Sequence, residues 1–246
     1  MNTSSRPALF IVLGIVVIIV LGTVVVAYTS KQRGGAMGVL IDISPSSQGA
    51  QQQVRACATT ASAQAVRDGA LLSIAPVTSA PVYMSTAPIE SKLSLGDRLT
   101  SSRAKKIRKS ATADFRIRID VVMHGTMRKD SSDTLAATAI MARTLQQQPS
   151  PRTLVVCGDA HQVGPGFNVY RERLTPERSR ALIASVAPDL ADTRGIDVAF
   201  GAAGLDTASP FPNAREKLIE RWWTHYWRDA VHARTMTYGS TLRFGS

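Results

Sequence analysis

Cysteine is scarce in this chain. Cys57 and Cys157 are the two present, an even count compatible with one disulfide in an exported domain. The other reading is a pair of buried thiols acting as small apolar side chains. Cys157 lies within an apolar run, which favours the thiols. Histidine is almost as rare. His124, His161, His225 and His232 include no i, i+4 pair enclosing a helical acid, which argues against zinc-protease chemistry. There is no Gly-x-Ser-x-Gly elbow, no Walker A loop and no dinucleotide-binding glycine fingerprint. Internal repeats and long low-complexity segments are also lacking. Acidic side chains are outnumbered, 18 against 29 lysines and arginines, for a formal net charge of +11. Such an excess suits nucleic acid, an anionic membrane surface or an acidic partner.

One stretch lacks charge and proline altogether. Residues 8–28 read ALFIVLGIVVIIVLGTVVVAY. As a helix this run spans about 31 Å, close to the hydrocarbon thickness of a bilayer. Its many β-branched residues are mediocre helix formers in water. In lipid, however, every backbone group must be satisfied within the segment, so a helix is expected. Tyr28 falls at the interface, where an amphipathic ring is favoured. A cleaved signal peptide is the alternative, but its apolar region is normally shorter. The flanking charges are nearly balanced: Arg6 and the α-amino group on one side, Lys31 and Arg33 on the other. A short head, an apolar run and a whole domain behind it form a signal anchor, so the protein is expected to be single-pass, with its domain outside the cytoplasm.

Arg103, Lys105, Lys106, Arg108 and Lys109 form a basic cluster, with Arg116 and Arg118 beyond. No aromatic residue is interleaved among the first five, so a stacking platform for nucleic acid is not expected. A solvated helix face is the plain reading, and contact with anionic lipid head groups is the other.

Beyond the linker at 29–35, apolar runs alternate with helical patterns. Residues 37–43, 70–77, 82–84, 153–157 and 196–200 read as strands. Residues 48–69, 101–124, 133–146, 175–187 and 216–232 read as helices. The helix at 133–146 is expected to start through Ser131 and Ser132, and residues 161–173 are expected as a loop. Strands that are continuous apolar runs need burial on both faces. The fold class expected is therefore α/β, a doubly wound, mostly parallel sheet preceded by one transmembrane helix.

In such a sheet ligands bind at the carboxyl ends of the strands. Two strands end in an acid, Asp42 and Asp159. The first continues as Asp42-Ile43-Ser44-Pro45-Ser46, so one carboxylate and two hydroxyls at alternate positions can converge above the sheet. An oxygen-only site of this kind suits a hard cation such as Mg²⁺.

Asp-x-Ser-x-Ser after the first strand resembles the metal-ion-dependent adhesion site of von Willebrand factor type A (VWA) domains. Val155-Val156-Cys157-Gly158-Asp159-Ala160 is similar to that family's later Asp-bearing run, with Ala160 where glycine is usual. The family's threonine ligand aligns best with Ser132 in Ser132-Asp133-Thr134-Leu135-Ala136-Ala137, and Thr134 is the alternative. The resemblance implies a metal set of Asp42, Ser44, Ser46, Ser132 and Asp159, holding Mg²⁺ or else Mn²⁺ or Ca²⁺. It also implies a protein partner whose acidic group completes the shell, with no catalysis. The organisation it implies is a head (1–7), a transmembrane helix (8–28), a linker (29–35), a VWA-like domain (36–237) and a tail (238–246).

Two alternatives stand beside this. One is a VWA-like structural subunit of a membrane complex with a degenerate, metal-free site. The other is a membrane-tethered metallophosphoesterase, since Gly158-Asp159-Ala160-His161 faintly resembles the Gly-Asp-x-His piece of those enzymes. That family's Asp-x-His and Gly-Asn-His runs are absent here. Gly164-Pro165-Gly166 is expected as a surface turn, and Trp222, Trp223 and Trp227 as core anchors.

Overall fold

The computed structural model describes residues 34–77, 101–124, 133–164, 167–186, 193–204 and 213–244. The apolar run at 8–28, the expected strand at 82–84, and Ser131 and Ser132 lie outside these. Among the described residues no helix is long and apolar enough to cross a membrane.

Five strands form one sheet: β1 (Ala36–Asp42), β2 (Leu71–Val77), β3 (Arg152–Cys157), β6 (Ile196–Gly201) and β7 (Thr235–Tyr238). Their order is β2-β1-β3-β6-β7, and every pairing is parallel. Every residue of β1 is buried, the signature of a central strand covered on both sides. β4 (Val163–Gly164) and β5 (Phe167–Asn168) make a separate two-residue antiparallel pair. It falls where a plain loop was expected, and Phe167 anchors it against Trp222, with ring centroids 4.5 Å apart.

Side chains alternate along the strands and feed two cores. Val39, Ile41, Val155 and Cys157 face helices α1 (Gln51–Asp68) and α2 (Ser101–His124). α1 follows a 3-10 turn at Pro45–Ala50. It presents Val54, Cys57, Ala58, Ala61 and Ala65, an i, i+3, i+4 stripe of mostly small residues. Gly69 ends it in the left-handed conformation, φ 66°. Leu40, Leu154, Val156, Val198 and Phe200 face the other core. That side holds α3 (Thr134–Gln146), α4 (Pro176–Val186) and α5 (Asn213–His225). α3 packs directly over β1, where a side chain on Gly38 would meet Met141.

Two expectations are corrected. The cysteines are not free thiols: Cys57 and Cys157 form a disulfide, with Cα atoms 5.7 Å apart. The reason is register. Cys157 points to the α1 side of β3, and Cys57 lies on the buried stripe of α1, so the two meet at bonding distance. The final helix does not run through 216–232. α5 ends at His225 and passes into a π-helical turn, Tyr226–Ala230, before the edge strand β7, which the sequence reading lacked. Four buried aromatic side chains, Trp222, Trp223, Tyr226 and Trp227, crowd this segment, and Trp222 and Tyr226 stack at 5.3 Å.

Candidate functional site

The chain leaves β1 for α1 and β2 on one side, then returns to β3 on the other. The carboxyl ends of β1 and β3 thus flank the topological switch point, where open α/β sheets bind ligands. Asp42 closes β1, and Gly158-Asp159 follows β3. A side chain on Gly158 would sit 2.4 Å from the Asp42 Cβ, so glycine is what lets the Asp42 carboxylate lie across the end of β3.

Both acids are buried. Burial, and then the nearby Asp159 carboxylate, push the Asp42 carboxyl up to about 7, while hydrogen bonds from Ser44 pull the other way. Ser44 is buried, and its amide donates to Asp42 Oδ1 at 2.9 Å. Ser46 lies in the 3-10 turn, and its side chain is outside the described set. Ser47, not singled out from the sequence, is the second hydroxyl beside the carboxylate. The 3-10 turn brings it there, a geometry that an extended Asp-x-Ser-x-Ser reading does not anticipate.

The loop after β3 is pinned at nearly every residue. The Asp159 carbonyl accepts from the Gly204 amide at 3.4 Å, and its Oδ1 accepts from the His161 amide at 2.9 Å. Trp223 Nε1 donates to the Ala160 carbonyl at 2.9 Å. Ala160 has φ 64°, the left-handed region where glycine is favoured, so the departure noted in the sequence falls on a position of glycine-like backbone. Gln162 reaches α3: its Oε1 accepts from the Leu135 amide at 2.9 Å, and its Nε2 donates to Asp133 Oδ1 at 3.0 Å. Asp133 in turn caps α3 by accepting from the Ala136 amide. The cap is therefore Asp133, because its short carboxylate reaches the third amide of the helix. Thr134 is buried in the first turn, and Ser132 lies outside the described residues. The start of α3 is thus fastened to the loop that carries Asp159.

His161 is fully buried. One ring nitrogen lies 3.1 Å from the Tyr170 hydroxyl and 3.6 Å from Asp159 Oδ2; the other lies 3.0 Å from Glu216 Oε1. Tyr238 faces the same group, and burial followed by Glu216 and Asp159 pushes its hydroxyl well above its ordinary value. Gln162, Glu216, Tyr170 and Tyr238 carry no sequence signal, since their partners lie far away along the chain.

Two carboxylates with hydroxyls and backbone turns form an oxygen donor set that fits a hard cation with retained waters. Among the described residues no group of three or more His, Cys, Asp or Glu side chains could hold a metal ion. Any cation here would depend on hydroxyl and water ligands for the rest of its shell.

The fold and the switch-point site define a doubly wound α/β domain. No family model and no curated protein matches the chain.

Proposed function

We propose that this chain is a membrane-anchored, VWA-like binding domain that engages an acidic group of a protein partner through a divalent cation. The ligands would be Asp42, Ser44, Ser46, Asp159 and either Ser132 or Thr134. The observation that carries the reading is the pair of buried carboxylates, Asp42 and Asp159, side by side at the switch point.

A cation such as Mg²⁺, Mn²⁺ or Ca²⁺ would supply net positive charge and a coordination position for a partner carboxylate. The protein's own contribution is preorganisation. The Ser44 amide aims Asp42, the His161 amide aims Asp159, and Gln162 holds the start of α3 in place. The basic surface steers an acidic partner. The Cys57–Cys157 bridge supports a domain outside the cytoplasm, because disulfides persist in oxidising compartments. Anchoring rests on residues 8–28.

Calorimetry on the full chain in detergent tests this with MgCl₂ and MnCl₂. Wild type is expected to bind, and Asp42→Ala and Asp159→Ala are expected not to. A folded wild type with no binding heat rejects the cation. Such a result points to the second reading, a metal-free structural subunit. That reading has its own support, since each carboxylate already holds a backbone amide in a local turn. The phosphoesterase reading has less, because both His161 ring nitrogens already face other side chains. Protease protection on intact cells reads the side of the membrane.

A further inference from the structure

Helix α2 buries one narrow stripe, Phe115, Ile119 and Met123. Its opposite face is exposed and unusual. Ile117 and Val121 are 63% and 66% exposed, and they lie one turn apart on that face. The only other exposed large hydrophobic among the described residues is Tyr170. Ala113 continues the stripe by one turn. Basic side chains flank it, Lys109 and Arg116 along one border, Arg118 along the other, and Lys106 toward the helix start; Asp120 lies on the first of these borders and Asp114 on the second. The helix carries seven lysines and arginines against two acids, Asp114 and Asp120, and Asp120 is paired with Arg55 of α1.

An aliphatic stripe bordered by lysine and arginine is the pattern of a helix lying in a head-group layer. The aliphatics enter the acyl boundary while the long basic side chains meet anionic lipid. A nucleic-acid groove has no use for exposed Ile and Val, and two of them one turn apart go beyond the singly scattered apolar side chains of an ordinary solvated face. The chain's layout supplies the reach. Gly35 is already fastened to β2 by the Leu71 amide, so the linker residues before the fold, 29–33, stretch at most about 18 Å, half the length of α2 itself, about 36 Å. A domain on so short a tether meets the bilayer at high effective concentration, so a weak surface suffices.

We propose that the exposed Ala113–Ile117–Val121 face of α2, with its lysine and arginine borders, is a docking surface for an anionic lipid bilayer. The proposal rests on the anchoring reading above.

The test uses the full chain with Val121→Cys, labelled with an environment-sensitive bimane. It is reconstituted into vesicles of phosphatidylcholine alone or mixed with phosphatidylglycerol. The control label is Arg180→Cys, on exposed α4 across the sheet. The label at 121 is expected to blue-shift and to lose iodide quenching several-fold in anionic vesicles only. The control stays unchanged, and Lys109→Glu with Arg116→Glu and Arg118→Glu reverses the effect. A label at 121 that stays aqueous in both lipids overturns the proposal. So does one already shielded in detergent, which would mean that this chain or a second copy covers the face. Vesicle flotation after a carbonate wash reports the anchor separately: a chain that floats with an aqueous label sinks the docking surface alone.

Discussion

On one side of the sheet, α1 approaches with Ala58, Ala61 and Ala65 and is stitched to β3 by the Cys57–Cys157 bridge. On the other, the layer around α5 is filled by Trp222, Trp223, Tyr226 and Trp227. Small side chains let a helix lie close but bury little area each, and a covalent link adds to what they offer. Large rings bury far more, and one of them also reaches the candidate site, through Trp223 and the Ala160 carbonyl. The site sits at the seam. Asp42 leaves β1 under α3, while Cys157, one residue before Gly158, points into the opposite layer. Each face therefore fastens a different part of the same loop.

The contrast can be broken from either side. Trp223→Ala is expected to have the largest effect, a loss of about 3–5 kcal/mol, because it empties a fully buried volume and strips the bond to Ala160. Urea unfolding measures it. Reduction, or Cys57→Ala with Cys157→Ala, is expected to remove about 2–5 kcal/mol, read by thermal melts with and without reductant. A loss from reduction well above that of Trp223→Ala would reverse the assignment of which face is the stronger. Gly158→Ala strikes the seam itself. Its methyl would overlap the Asp42 Cβ, so a loss of about 1–3 kcal/mol is expected, together with weakened Mn²⁺ binding in calorimetry.

A gentler perturbation is pH. Asp42 titrates at about 7 in the fold against an ordinary 3.8, so the native state holds an extra proton between those values. Stability in metal-free buffer therefore falls as pH rises through that window. Asp42→Asn should flatten the slope in urea titrations at successive pH values. The smallest effect is expected at Ala160: Ala160→Gly relieves a left-handed alanine but gives up a buried methyl and frees the unfolded chain, so thermal melts should show a net change below about 1 kcal/mol.

Periodicity and capping chemistry were enough to reveal most of the fold. The run at 37–43, apolar but for Asp42 near its end, reads as a strand buried on both faces, and β1 is that strand. The helix expected at 175–187 is legible at its start because proline, here Pro176, suits the first helical position. Thr175 indeed accepts from the Arg178 amide at 3.2 Å. What escaped was whatever depends on tertiary placement. β7 is four residues long, and the alternation in its run TMTY is too short to announce an edge strand. The disulfide was hidden because a cysteine in an apolar strand looks the same bonded or free. At the site, Asp42 and Asp159 could be read from strand ends. Ser47 could not, because its place depends on the 3-10 turn, and Glu216 comes from 55 residues beyond His161.

The Cys57–Cys157 bond also closes a loop in the covalent sense. Its partners are 100 residues apart in sequence, and the ring they seal contains β2, α2 and α3. A protease that cuts once anywhere inside that ring leaves both fragments joined. The nicked protein would run as one species on a non-reducing gel and as two after thiol treatment, with Asp42 and Asp159 still tethered to each other.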